Sequence, residues 1–205
     1  MRYLEIGGDR QRNLNWDVIN IANKYNLPGI RSYDITDLPI PFVTDETYDG
    51  IYSEHIIEHL YRYQGINLFK EAYRILKPGG ILRTAWPAGD VIDWLVSRED
   101  LEQNSFVVKY HERYVANKND YFPCKYQNLS RKRKQEQVAL GLLSQKNEHK
   151  HLWYVSEMIN ELQKIGFVNA KQVEHHQSSV FDFRGLENPD TIRMAHTYSV
   201  EAFKP

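Results

Sequence analysis

The sequence contains a single cysteine, Cys124, among its 205 residues. One thiol cannot form an internal disulfide, and a zinc site with several cysteine ligands is excluded. No apolar run approaches the roughly 18 residues that a membrane-spanning helix needs, and the first residues lack the apolar core of a secretory signal. We therefore expect a cytoplasmic protein with no membrane partner, and we interpret Cys124 as an incidental thiol.

An excess of charge of one sign is also missing, because 26 basic residues are balanced by 27 acidic residues. Nucleic-acid-binding proteins usually carry a positive excess that attracts phosphates, so we do not expect nucleic acid as a partner. The basic run 131–134 is a local exception and is interpreted as a solvated helix face. Hydrophobic residues make up 41% of the chain, which is enough to form a core. At this length we expect one domain over residues 1–205.

Alternating and helical patterns of apolar residues predict an order of strands and helices. Strands are predicted over residues 2–6, 14–18, 30–35, 50–53, 81–86, 167–173 and 198–203, and the second of these is predicted to lead into a helix. Two further helices are predicted over 66–76 and 155–165, each ending at a glycine-containing stop. The polar and aromatic stretch 88–150 has no clean period and is interpreted as a helical insertion. This alternation indicates an α/β fold with a doubly wound sheet, whose ligands bind beyond the carboxyl ends of the strands.

Short motifs stand at those strand ends. They are Leu4-Glu5-Ile6-Gly7-Gly8-Asp9, Asp34-Ile35-Thr36-Asp37-Leu38-Pro39, the stretch 48–60, Arg74-Ile75-Leu76-Lys77-Pro78-Gly79-Gly80 and the stretch 162–167. In this order the series resembles the class I S-adenosylmethionine-dependent methyltransferases of the broad type 11 kind. The resemblance implies a Rossmann-like, mostly parallel sheet with an antiparallel last strand. It also implies S-adenosylmethionine as cofactor, S-adenosylhomocysteine as product, and a small methyl acceptor such as a sugar or another metabolite.

The resemblance also implies which residues bind the cofactor. A glycine turn lets the backbone approach the methionine part, and a carboxylate on the second strand accepts hydrogen bonds from the ribose hydroxyls. The next motif would hold the adenine, and the end of the fourth strand would lie near the sulfonium. The implied residues are Glu5, Gly7, Gly8, Asp17 with Asn20 as its substitute, Asp34, Ile35, Ser53 and Glu54.

The glycine turn departs from the family pattern at one place. Asp9 stands where the family usually has a second glycine, which puts the depth of the cofactor cleft in doubt. A catalytically silent Rossmann-like binding protein is therefore an alternative, in which the side chain of Asp9 or Arg10 would fill the cleft.

Methyl transfer from a sulfonium mainly requires alignment of the reacting atoms and exclusion of water. A hydroxyl acceptor would benefit from a general base, for which histidine is the usual residue near neutral pH. The candidate catalytic residues are His55, His111 and His149.

The segment from His55 to His59 also matches the H-x-x-E-H pattern of inverted zinc peptidases. In that pattern two histidines on one helical face bind zinc and the glutamate acts as general base. A zinc hydrolase using His55, Glu58 and His59 therefore stays an alternative. No third ligand is evident, although Glu71 and Glu99 could be tried, and we do not expect a bound metal.

Overall fold

The computed structural model describes residues 1–21, 28–97, 109, 138–143 and 147–205. These residues form a seven-stranded sheet with the order β3-β2-β1-β4-β5-β7-β6. The strands are β1 (Tyr3–Ile6), β2 (Trp16–Asn20), β3 (Ile30–Ser32), β4 (Tyr48–Glu54), β5 (Leu76–Pro87), β6 (Val168–Val173) and β7 (Thr197–Phe203). Neighbouring strands from β3 to β5 pair in parallel, whereas β7 is antiparallel to both β5 and β6. The predicted fold class and the antiparallel last strand are confirmed.

The helices are α1 (Arg62–Ile75), α2 (Gly89–Ser97), α3 (Val155–Ile165) and α4 (Thr191–Met194), and residues 138–143 are also helical. At the start of α3, the Asp90 carboxylate accepts a hydrogen bond of 2.9 Å from the Val155 amide. The helix ends at Gly166, which has the left-handed conformation that glycine adopts without strain. Among the described helices, none is long and apolar enough to cross a membrane.

Two sequence predictions need correction. The strand predicted over 14–18 begins at Trp16 and stays extended through Asn20, so the helix predicted to follow Val18 does not begin there. The third strand ends at Ser32 instead of Ile35. Of the insertion 88–150, α2 and residues 138–143 are helical, while Cys124 and the basic run 131–134 lie outside the described residues.

The sheet is covered on both faces by buried side chains. On one face, residues of α1 and α3 such as Phe69 and Leu162 pack against Leu4 and Ile51 of the central strands. On the other face, a second cluster surrounds the completely buried Phe183, whose ring also requires a glycine at position 50 of β4. The second face is thus covered by the connection between β6 and β7.

A polar row crosses that second face. Glu5, Tyr52, Arg83 and Glu201 are register partners on β1, β4, β5 and β7. The Arg83 guanidinium is completely buried and donates from Nη1 to Glu201 Oε1 at 2.6 Å and from Nε to Glu187 Oε1 at 2.6 Å. Glu187 belongs to the connection between β6 and β7, so these ion pairs fix that connection to the sheet.

Candidate functional site

Two cavities lie at the carboxyl ends of β1, β2 and β4, one on each side of the Gly7 turn. The apolar cavity has a volume of about 310 Å³ and the polar cavity a volume of about 680 Å³. Ile6, Gly7 and Ile56 line both of them. The sheet topology predicts one ligand site at this edge. The Gly7 turn and the Ile56 side chain divide that site into two cavities.

The Gly7 turn is held by backbone and side-chain hydrogen bonds. Gly7 has a φ of +85° and donates its amide to Ile19 O at 2.7 Å. The side-chain amide of Asn20 donates to Gly8 O at 2.9 Å and to Gly7 O at 3.2 Å. A Cβ at position 7 would lie only 2.0 Å from Ile56 Cδ1. The turn therefore requires glycine for its conformation and for the close approach of Ile56.

The wall of the apolar cavity opposite Gly7 comes from the loop after β3. Asp34, Ile35 and Thr36 line it, together with Asn20 and Ile21 from the end of β2. The Asp34 carboxylate accepts hydrogen bonds from the Thr36 amide at 2.9 Å and from its hydroxyl at 2.8 Å, which fixes the loop. The cavity thus offers apolar side chains that can pack against a flat ring. The Asp34 carboxylate lies at its edge.

The polar cavity is lined by charges of both signs. Glu5 receives hydrogen bonds from Arg12 at 2.7 and 3.0 Å, and burial raises the pKa of Glu5 while Arg12 opposes that shift. Glu54 accepts a hydrogen bond of 3.1 Å from the Asn188 amide. Arg193, at the end of α4, completes this lining. The cavity therefore suits a polar or zwitterionic group.

His55 lines the polar cavity, but both of its ring nitrogens face protein groups. Thr197 donates its hydroxyl to the Arg193 carbonyl, so it accepts a hydrogen bond from His55 Nε2 at 2.8 Å. Nδ1 then faces Glu58 Oε1 at 3.2 Å. Burial, helped by the charge of Arg193, lowers the pKa of His55 to about 4. This environment makes His55 a weak general base.

The zinc-peptidase arrangement is not formed. His55 has a φ of +54° and precedes a short 3-10 turn, Ile57–His59, so His55 and His59 do not share a helical face. Of the two further ligands considered, Glu71 is bound by Arg74 at 2.6 Å and by the Ile40 amide at 2.7 Å. Glu99 lies outside the described residues. The hydrolase alternative that relies on His55, Glu58 and His59 is therefore wrong.

Of the two other candidate bases, the structure describes His149 and places it outside the lining of the polar cavity. His149 lies beside Glu58 and His59, where its Nδ1 is 2.7 Å from Leu142 O. It is absent from the described linings of both cavities. His111 lies outside the described residues. The sequence predicts His55 and His149 as bases from residue type alone. Of these two, the structure places only His55 in the lining of the polar cavity.

Two of the implied cofactor residues also lie away from the cavities. Asp17 is near the amino end of β2, where its carboxylate accepts hydrogen bonds from Arg2 at 2.9 Å and from the Tyr48 hydroxyl at 3.0 Å. Asn20, the substitute, is the residue at the carboxyl end of that strand. The Ser53 hydroxyl donates to Thr84 on the neighbouring strand at 3.0 Å. The position predicted for Asp17, at the carboxyl end of its strand, is therefore wrong. The role of Ser53 concerns its backbone groups and stays a prediction.

Sequence reasoning missed several residues that line the site. Ile56 had no role assigned, and its contact with Gly7 depends on the left-handed backbone at His55. Asn188 and Arg193 come from the connection between β6 and β7, which carries no recognised motif. Because most of the chain separates these two residues from β1 in sequence, no local pattern could have identified them.

Comparison with known proteins agrees with the sheet topology. Residues 13–84 match the family described as "Methyltransferase domain". The match covers β2 to the middle of β5 and begins after the Gly7 turn. No curated protein matches the chain.

Solved structures similar to this chain share its fold at low identity. A SAM-dependent methyltransferase from Archaeoglobus fulgidus is 13% identical, with a TM-score of 0.57 over 99% of this chain and 86% of the other. A possible histamine N-methyltransferase from Thermotoga maritima is 17% identical, with a TM-score of 0.53 over 100% and 82%. Phosphoethanolamine N-methyltransferase 2 of Haemonchus contortus, solved with S-adenosyl-L-methionine, is 14% identical, with a TM-score of 0.51 over 100% and 48%.

Proposed function

We propose that the chain is a class I S-adenosylmethionine-dependent methyltransferase that methylates a small polar molecule, such as a sugar or another metabolite. The family match over residues 13–84 and the sheet topology support this proposal. The observation that carries the proposal is the apolar cavity at the carboxyl ends of β1 and β2. In doubly wound sheets this edge is where ligands bind. Two of the residues implied by the resemblance, Asp34 and Ile35, line this cavity beside Gly7.

The apolar cavity would take the adenosyl group. Ile35 and Leu60 would pack against the faces of the adenine, and Asp34 would accept a hydrogen bond from its amino group. Asn20 lies where the ribose would follow, at the end of β2. A volume of about 310 Å³ is at the lower end of the range for small-molecule sites, so it suits a nucleoside better than the whole cofactor.

The amino-acid end of the cofactor would pass the Gly7 turn and enter the polar cavity. Its carboxylate would find Arg193 or Arg10, and its ammonium would find Glu54. The Ile56 side chain lies on this path, so it has to change rotamer when the cofactor binds. A rotamer change costs on the order of 1 kcal/mol, which is small compared with the binding energy of such a ligand.

When bound, the cofactor supplies a methyl group already activated by a positive sulfur. The chain then needs to align the acceptor with that methyl group and to keep water away. The polar cavity would orient the acceptor through side chains of both signs, and a polyhydroxylated acceptor would pair with them. His55 would act through position rather than as a strong base, because both ring nitrogens face Thr197 and Glu58.

Ile56 also favours a second candidate function, a catalytically silent binding protein. Its side chain, rather than that of Asp9 or Arg10, fills the space over Gly7. In such a protein the two cavities would stay separate, and only an adenosine-sized ligand would bind.

Titration calorimetry distinguishes these functions. The methyltransferase should bind S-adenosylmethionine and S-adenosylhomocysteine at micromolar concentrations, and both much more tightly than adenosine. A binding protein with separate cavities should bind adenosine equally well. Absence of binding by all three would remove the proposal. Transfer of a labelled methyl group to members of a panel of sugars and amines would then identify the acceptor class.

A further inference from the structure

Three potential metal ligands converge beside the apolar cavity. They are Glu58 and His59 from the turn after β4, and His149 from a segment distant in sequence. One side-chain donor atom from each residue lies within 4.8 Å of those from the other two. His59 Nε2 is 4.0 Å from Glu58 Oε1. The rings of His59 and His149 have centroids 5.1 Å apart.

The hydrogen bonds of the two histidines direct the same nitrogen into this cluster. His149 Nδ1 lies 2.7 Å from Leu142 O, and His59 Nδ1 lies 3.3 Å from Glu148 O. A carbonyl only accepts, so each Nδ1 carries the proton and each Nε2 of the neutral ring keeps its lone pair. Metal-binding histidines commonly show this arrangement, because the hydrogen bond from the second nitrogen orients the ring.

The buried polar atoms in the cluster form no hydrogen bonds with the described residues, although His55 Nδ1 lies 3.2 Å from Glu58 Oε1. Both carboxylate oxygens of Glu58 and the Nε2 of His149 have no hydrogen-bond partner among the described residues. Glu58 itself is only 1% exposed. An unpartnered buried carboxylate is costly, and a cation between it and the two imidazoles would satisfy all three groups.

We propose that Glu58, His59 and His149 bind one divalent transition-metal ion, with zinc as the best-suited ion. Two imidazole nitrogens and one carboxylate oxygen are a zinc donor set, whereas magnesium prefers oxygen ligands. A tetrahedral ion about 2.0 Å from each ligand would bring the donor atoms to about 3.3 Å from one another. The side chains would therefore draw together by about an ångström on binding. The proposed set differs from the H-x-x-E-H arrangement, because His149 replaces His55.

The ion would add a further link between the segment around His149 and the turn after β4. The Lys150 amide donates to Glu58 O at 2.7 Å, so the segment around His149 already lies on the turn after β4. His59 also lines the apolar cavity. A metal at this point would couple the end of the insertion to the wall of that cavity.

The test is titration of chelator-treated protein with ZnCl₂, followed by calorimetry and thermal unfolding. The wild type should bind one ion per chain with a submicromolar Kd and should show a raised Tm, and MgCl₂ should do neither. His149→Ala should weaken zinc binding by at least about 100-fold, because one of three ligands is lost. His151→Ala is the matched control, since His151 pairs with Glu157 outside the cluster, and it should bind zinc like the wild type.

Glu58→Gln separates metal binding from folding. It should keep or raise the Tm of the metal-free protein, because a buried unpartnered carboxylate becomes a neutral amide. It should also lose the increase in Tm that zinc causes. The proposal is overturned if the wild type does not bind zinc at 1:1 stoichiometry, or if both Glu58→Gln and His149→Ala bind it as tightly as the wild type.

Discussion

Replacement of Gly7 by alanine tests the path proposed for the cofactor. The new residue would keep a φ of +85°, which costs an L-amino acid about 1–2 kcal/mol. Its Cβ would also lie 2.0 Å from Ile56 Cδ1 and 2.5 Å from Cγ1, whereas carbon atoms normally stay about 3.5–4.0 Å apart. Ile56 must therefore move about 1.5–2 Å into one of the two cavities. We expect the free energy of unfolding to fall by about 2–3 kcal/mol.

The same variant should bind S-adenosylhomocysteine at least about 10-fold more weakly. The alanine side chain and the displaced Ile56 side chain would occupy the space over the turn that the ligand has to pass. Gly79→Ala is the matched control, since Gly79 has a φ of +77° and a Cβ added there would meet no atom of the described residues within 4 Å. It should lose only about 1–2 kcal/mol of stability and keep the wild-type affinity. Urea unfolding and calorimetry measure both quantities. Equal affinities of Gly7→Ala and the wild type would show that the ligand does not pass the Gly7 turn.

Three further predictions concern the cavity edge, the buried ion pairs and the dependence on pH. Asn20→Ala should weaken S-adenosylhomocysteine binding by about 10-fold through loss of its hydrogen bonds to the Gly7 turn, while calorimetry on Asp17→Asn should show no change. Arg83→Met should lower the free energy of unfolding by about 3–5 kcal/mol in urea, because Glu187 is left buried without its cation; a loss below 1 kcal/mol would contradict this. Burial lowers the pKa of His196 to about 3. The stability that comes from keeping His196 neutral is fully present above the unfolded pKa of about 6.5. It is lost as the pH falls from about 6.5 toward about 3. From pH 8 to pH 5, with chelator present, His196→Gln should therefore lose about 2 kcal/mol less stability than the wild type, and equal losses would argue against this assignment.

Local patterns in the sequence predicted the fold better than the site. The apolar stripe of α1 and the stop at Lys77-Pro78-Gly79-Gly80 depend on neighbouring residues, and the helix is found close to its predicted position. The strand containing Asp17 was displaced by two residues toward the N-terminus. In a parallel sheet this displacement assigns Asp17 to the wrong end of the strand, so Asn20 was taken only as a substitute.

The remaining features depend on contacts between distant residues. Arg83 lies in an apolar strand, and its partners Glu187 and Glu201 follow it by more than a hundred residues. His149 meets His59 only because the end of the insertion folds back onto the turn after β4. No spacing in one sequence encodes these approaches, which result from the packing of the whole sheet.

In the proposed methyltransferase, one ligand occupies both cavities by passing the Gly7 turn. A crystal structure of the protein with S-adenosylhomocysteine measures this directly. We expect the adenine between Ile35 and Leu60, the ribose at Asn20, the amino-acid group in the polar cavity, and Ile56 in a new rotamer. A structure in which the nucleoside lies elsewhere, or in which Ile56 still covers Gly7 and the amino-acid end stays outside the polar cavity, would contradict the claim.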